Sequence, residues 1–202
     1  MDLVADVRMP ITINLAVLNG NIGLNLIQNI GHYFLVSIFI NNWMIRIATI
    51  LDIDKIIEIA EQSFKIHYKD IISPEQIDYM YEKMYAPQAI LQQMKDGHTF
   101  IIFFENENPL AFASYFIRED NCLYLSKLYI KYDFRRKKIG SQLLLFIENI
   151  VHKNAYSFIE LNVNRKNNAM YFYKSLGFIM HEKVDIAYSK FWLNDYVLRK
   201  YF

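Results

Sequence analysis

The sequence predicts an α+β fold, a mixed and mostly antiparallel sheet with helices on both faces. Three observations carry this expectation. Apolar runs at 98–105, 110–118 and 123–130 follow one another across short polar turns, the pattern of an antiparallel meander. A strand, a basic loop, a helix and a further strand then occupy 123–163, an order that sets two strands parallel through a right-handed crossover. Of the 202 residues, 53% are hydrophobic and 16% aromatic, enough to close a core without disulfide or metal staples.

Each element has its own signal. Residues 1–42 carry only Asp2, Asp6 and Arg8 as charges. Their apolar run at 33–40 is shorter than the roughly 20 residues a membrane span needs. The start Met1-Asp2-Leu3 lacks the basic segment of a secretory signal. The chain therefore divides into an N-terminal extension of unassigned structure, 1–42, and one domain, 43–202. Met44, where patterned sequence begins, is an alternative start. Residues 43–48 read as a strand. Thr49 with Asp52 is a capping signal, and Ile53, Ile56, Ile57, Ala60 and Phe64 follow at helical spacing. Ser73-Pro74-Glu75-Gln76 opens a second helix, with Ser73 as N-cap and Gln76 closing the box. Pro87 begins a third, which Asp96-Gly97 stops. After the meander, Ile139, Leu143, Leu144, Ile147, Ile150 and Val151 mark one face of a long helix. A strand at 157–163, a helix at 167–176 ended by Gly177, and strands at 178–187 and 191–199 complete the chain.

Composition narrows the function classes. With 22 basic against 21 acidic side chains there is no global pull toward nucleic acid or membrane. The single cysteine, Cys122, excludes a disulfide framework and a multi-cysteine zinc site, and no metal is expected. It opens a strand, and nothing points to a lowered thiol pKa. His67, His98 and His181 are scattered, as surface or structural histidines are. A cytoplasmic protein is expected.

The chemistry concentrates in one loop. Between Leu128 and Ser141, five basic side chains fall within the eight positions 131–138, at the start of the long helix. Cations are normally disfavoured at a helix N-terminus. The free N–H groups there bind phosphate oxygens, and Arg and Lys add charge-assisted bonds. The run is thus read as a phosphate site rather than a merely solvated face. It is not a P-loop, whose Gly and Lys spacing is absent.

Two blocks carry a family resemblance. Leu128-Tyr129-Ile130, followed by Phe134-Arg135-Arg136-Lys137-Lys138-Ile139-Gly140-Ser141, resembles the acetyl-CoA pyrophosphate loop of the GNAT N-acetyltransferase superfamily. The family pattern Arg/Gln-x-x-Gly-x-Gly/Ala falls on Arg135, Lys138 and Gly140. The second block, from Asn164 through Asn167, Asn168, Ala169, Phe172 and Tyr173 to Gly177-Phe178, is similar to the family's Asn-x-x-Asn-x-Ala-x-x-Phe-Tyr-x-x-x-Gly-Phe helix. Lys138 departs from the pattern by replacing its first glycine. A helical Lys138 would point outward and add a phosphate contact; that is the expectation.

The resemblance implies the GNAT fold and transfer of an acetyl group from acetyl-CoA, the co-substrate, to a primary amine by direct attack through a tetrahedral intermediate. It assigns cofactor contacts to Leu128, Tyr129, Ile130, Arg135, Arg136, Lys137, Lys138, Ile139, Gly140, Ser141, Asn167 and Tyr173. By the same resemblance the strand before the loop carries a bulge whose backbone N–H faces the thioester carbonyl, by position Tyr129. Such preorganised donors contribute about 10²–10³ in rate. Tyr173 is the implied proton donor to the leaving thiolate. Ordinary phenol and thiol pKa values of about 10 and 8.5 make that transfer slightly uphill unless the site tunes them. Asn167 serves equally as the cap of its helix. No general base is visible, since Tyr124-Leu125-Ser126-Lys127 contains no acid.

In this fold the acceptor site is built by the helical region after the first strand and by the last strands. Here that region supplies Tyr68, Asp70, Glu75, Asp78, Tyr79, Tyr81, Glu82 and Tyr85. Acidic and aromatic groups suit a cationic amine, and the C-terminal stretch resembles the ending of bacterial polyamine acetyltransferases. A polyamine or other small amine is the favoured acceptor, ahead of a protein N-terminus or lysine. A homodimer is allowed; neither nucleic acid nor membrane is expected as a partner. The competing readings are a non-catalytic acyl-CoA-binding module and, disfavoured by the single local basic cluster, a nucleic-acid binder.

Overall fold

The computed structural model describes residues 38–40 and 42–202. The extension expected at 1–42, with its apolar run, lies outside the described residues apart from 38–40 and 42. An eight-stranded sheet in the order β1-β2-β3-β4-β5-β6-β8-β7 forms the centre. The short β1, Ile38–Ile40, lies upstream of the boundary expected at residue 43 and pairs antiparallel with β2, Trp43–Ile47.

Thr49 accepts a bond from Leu51 N–H, and the Asp52 carboxylate reaches back to Thr49 N–H at 3.0 Å, so the expected capping signal forms. It opens α1, Ile53–Glu61, followed by the short α2, Phe64–Tyr68. In α3, Pro74–Tyr85, Ser73 Oγ accepts from Gln76 N–H at 3.2 Å as predicted. Gln76 does not close the box. Its side chain instead donates to the Trp192 carbonyl at 3.4 Å, because the last hairpin packs against this end of the helix. Helix α4 is Pro87–Lys95.

Strands β3, Thr99–Glu105, and β4, Asn108–Arg118, are joined by Asn106 and Glu107, both at positive φ, the signature of a two-residue hairpin turn. The run Phe100-Ile101-Ile102-Phe103-Phe104 explains why helices cover both faces. Alternate side chains enter two cores: Ile101 and Phe103 pack beneath α5, Ile139–Asn154, while Phe100, Ile102 and Phe104 pack beneath α1–α4. Each side chain so buried contributes about 1.5–3 kcal/mol.

Strand β5, Cys122–Ile130, runs antiparallel to β4, and α5 carries the chain to β6, Phe158–Asn164, parallel to β5. Helix α6, Ala169–Ser175, then leads into β7, Ile179–Tyr188, and β8, Phe191–Tyr201, which inserts between β6 and β7. Gly177 ends α6 at φ 90°, as expected of it.

Candidate active site

The feature that organises the site is a parting of strands. β5 and β6 pair only at Cys122–Phe158, Leu123–Ile159 and Tyr124–Glu160. Beyond that point β5 continues along β4 to Ile130, and β6 along β8 to Asn164. The facing edges of 125–130 and 161–164 therefore diverge, and backbone donors and acceptors on them are open to an extended ligand. At the wide end, β5 runs into the basic loop and then α5.

That loop is anchored from below. Lys131, expected among the basic run, is buried and turned inward to Glu58 of α1 at 2.5 Å. Arg135 lies over the Tyr132 ring at 5.1 Å and Lys137 over Phe134 at 4.6 Å, which fixes the stems of two cations. Arg136, Lys137 and Lys138 are exposed. The first helical bond here runs from Gln142 N–H to the Lys138 carbonyl at 3.1 Å, so the amides of Ile139, Gly140 and Ser141 face out of the helix end.

Lys138 corrects an expectation. It is not helical but left-handed, at φ 61° and ψ 10°, and Arg136 is left-handed as well at φ 64°. The family pattern's glycine at Lys138 is thus a conformational requirement, which the chain meets with a strained lysine. Alternating left-handed residues turn successive amides inward, the geometry of an anion-binding concavity. Gly140 has a different task. A Cβ there would come within 3.0 Å of the Phe172 ring and 3.4 Å of Ile130, so the missing side chain lets α5 close on α6.

A second correction concerns the bulge. Ser114 pairs with Lys127 and Tyr115 with Leu125, which leaves Ser126 as the extra residue. Tyr129, where the bulge was expected, pairs regularly with Phe112. Its ring meets Phe64, Tyr85 and Phe112 at 5.7–6.1 Å. Leu128 and Ile130 pack toward the α5 core, and Tyr129 packs toward the α1–α4 core. The bulge instead aims Lys127 beneath α4. There it donates to Gln93 Oε1 at 2.5 Å beside the Phe100 ring, and burial brings its pKa down to about 8.

Tyr173 sits on α6 between Phe172 and Phe178, with ring centroids at 5.2 and 5.6 Å. Burial, reinforced by Tyr68 of α2, pushes its pKa well up, so the hydroxyl keeps its proton at neutral pH. Tyr68, the last residue of α2, hydrogen-bonds the Tyr129 side chain and lies within electrostatic reach of Tyr173, which brings α2, β5 and α6 together. Asn167 is buried, and its carboxamide oxygen accepts from Ala169 N–H at 2.9 Å, capping α6.

The acidic residues expected to form an acceptor wall do not gather at one site. A cleft of 630 Å³ between the α2–α3 turn, the end of β6 and β8 is lined in part by Lys69, Asp70, Arg165, Lys166, Trp192 and Asn194. Glu75 pairs with Lys190, and Asp78 with Lys65 at 2.6 Å, at exposed positions, so neither lines this cleft. Tyr81 and Tyr85 turn into the α1–α4 core. Sequence reasoning missed Asp195 of β8, buried at 8% exposure and hydrogen-bonded to Asn162. Burial raises its pKa. Its one signal in the sequence was a carboxylate in an otherwise alternating strand.

His67 and His98 are neutral, burial lowering both to about 4, and Cys122 is buried with its thiol pushed up to about 11. These values fit structural roles. Among the described residues no helix is long and apolar enough to cross a membrane, and no cluster of three metal-ligating side chains forms.

Residues 68–190 match the Acetyltransferase (GNAT) domain family. The chain is 31% identical over 140 residues to the spermidine N(1)-acetyltransferase of Thermoplasma acidophilum, covering 66% of this chain and 86% of that protein. The crystal structure of the PaiA N-acetyltransferase from T. acidophilum in complex with coenzyme A superposes with TM-score 0.68 at 26% identity, over 79% of this chain and 99% of that one. A ribosomal-protein-alanine N-acetyltransferase from Brucella melitensis, at 19% identity and TM-score 0.58 over 78% of this chain and 99% of that one, shares the fold.

Proposed function

The chain belongs to the GNAT acetyltransferase family, and from that premise we propose that it acetylates a primary amine, a polyamine or other small amine, by direct attack on the thioester. Acetyl-CoA is the co-substrate. One observation carries the reading: the parted edges of β5 and β6 lead into a loop that combines free helix-end amides, left-handed residues and three exposed cations. That combination suits a long, amide-bearing ligand with a diphosphate at one end.

In this reading Leu128 and Ile130, whose backbone groups alternate away from β4, offer bonds to the pantetheine amides, and Tyr129 keeps its own within the sheet. Arg135, Arg136, Lys137 and Lys138 hold the diphosphate with the amides of Ile139, Gly140 and Ser141. Asn167 fixes the first turn of α6 and so the position of Tyr173, which protonates the departing thiolate. The Tyr129 N–H, expected to face the oxyanion, is instead directed to Phe112 of β4 by the regular pairing there. Burial keeps the Tyr173 hydroxyl protonated, and the same shift makes its proton transfer to a thiolate more steeply uphill than between ordinary groups. The small-amine acceptor is supported by the likeness to the spermidine N(1)-acetyltransferase of T. acidophilum.

The test is turnover of an amine panel, with free thiol as readout. Spermidine, spermine and short diamines are expected to release thiol stoichiometrically with acetylated product. Acetyl-CoA binding without turnover of any acceptor would establish the non-catalytic binding module instead.

A further inference from the structure

An alkylammonium cannot attack a thioester until it loses a proton, and the stretch of β5 in the gap carries no acid to take it. Asp195 stands in register with Asn164 of β6 and Val184 of β7, on the parted half of β6. Along β8, Tyr196 and Leu198 pack toward α5 whereas Leu193 packs toward α1–α4, so alternation sends Asp195 to the face that α2 and α3 cover. Its carboxylate is bonded to the neutral Asn162 and lies within electrostatic reach of Tyr68 on α2 and Tyr124 on β5. Its register partner Asn164, on the same face of the sheet, lines the 630 Å³ cleft.

The cation nearby is engaged elsewhere. Arg165 donates to the Val184 carbonyl at 2.7 Å and pairs with Asp185 at 2.8 Å. A buried carboxylate kept for stability is normally matched to a cation, because an uncompensated buried charge is costly. Asp195 has a carboxamide as its hydrogen-bond partner and Arg165 only as a charge beyond ion-pair distance, an arrangement suited to a group that changes protonation.

We infer that Asp195 takes the proton from the acceptor ammonium. The inference rests on the amine reading above. Asp195 removes one ammonium proton and becomes the carboxylic acid. The free amine forms the C–N bond, the C–S bond breaks, and the thiolate takes the Tyr173 proton. The acylated nitrogen, still carrying one proton too many, returns it to the tyrosinate. Asp195 then releases its proton to the solvent of the cleft.

The pH dependence follows from the groups that face Asp195. Burial and Asp185 of β7 raise its pKa, Asn162 of β6 and Arg165 lower it, and Tyr68 and Tyr124 are neutral at the working pH. A raised pKa means the carboxylate is lost as pH falls, so kcat/KM declines on the acid side from above the ordinary carboxylate range.

Asp195→Asn tests this with the amine that the wild type turns over best. The expected result is a loss of at least about 100-fold in kcat/KM at pH 7, the usual worth of a positioned base. Acetyl-CoA affinity is retained. The loss shrinks tenfold per pH unit toward the amine's own pKa, because free amine then arrives unaided. Asp195→Glu, which keeps the carboxyl if the amide variant does not fold, should retain the acid limb at a shifted position. A kcat/KM within threefold of wild type for Asp195→Asn overturns the role. So does an acid limb in either variant identical to that of the wild type. Absence of wild-type turnover on any amine would instead defeat the amine reading, and this role with it.

Discussion

β5 and β6 begin as partners and end apart, and the two ends of the pair treat a buried carboxylate in opposite ways. At the joined end Glu160, 4% exposed, is clamped by Arg118 and, at 2.6 Å, by Arg199. At the parted end Asp195, 8% exposed, faces Asn162, Tyr68 and Tyr124. The same sheet thus spends one carboxylate on stitching β4, β6 and β8 together and holds another where its protonation can change. The joined end sets how far the strands can part, and the parted end uses the space.

This contrast predicts a crossover: variants at the parted end should change rate or affinity and leave stability nearly alone, and the reverse at the joined end. The largest effect belongs to Tyr173→Phe. It removes one oxygen and keeps the ring between Phe172 and Phe178. kcat should fall about 100-fold or more, with acetyl-CoA affinity and melting temperature little changed, as for a lost transition-state interaction. A kcat within about threefold of wild type would remove Tyr173 from the mechanism, an effect far below that of a general acid.

Glu160→Gln addresses the joined end. Breaking a fully buried ion pair costs about 3–5 kcal/mol. Arg118 is 39% exposed here, so water recovers part of that and about 2 kcal/mol is expected. The melting temperature should drop by about 4–8 °C. The kcat of the folded enzyme should hold, and a large kcat loss at full stability would dissolve the distinction between the two ends.

Lys138→Gly gives the smallest and most informative effect. Relieving a left-handed lysine should raise stability by about 0.5–1 kcal/mol. Removing its ammonium should weaken acetyl-CoA binding about threefold at low salt, and less at high salt as screening shortens the reach of the charge. Thermal melts with and without acetyl-CoA separate the two. Unchanged affinity would show that the backbone turn, and not the charge, is what the position supplies.

Much of the fold was legible because its signals are local. Ser73 and Pro74 start a helix through their own hydroxyl and ring, whatever surrounds them. Asn106-Glu107 closes a hairpin by its own backbone, and Phe100 to Phe104 announce a strand buried on both faces. The two family-like blocks carried the loop and α6. The errors came where a residue has two local options and a distant contact decides. Gln76 could cap its helix but bonds Trp192, and Lys138 could be helical but is turned left-handed where the loop enters α5.

The sequence by itself determined the order of elements, the crossover, the cationic helix start and the tyrosine on α6, because each follows from periodicity, capping or motif within a short stretch. Only the tertiary structure decided which carboxylates are spoken for. Glu160, Glu75 and Asp78 found cations on distant elements, Lys131 turned inward to Glu58, and Asp195 came to rest on β8 between β6 and β7, bonded to Asn162. The reason is physical. A charge's role depends on its partner and its burial, and both are set by segments far away in the chain that no local pattern encodes.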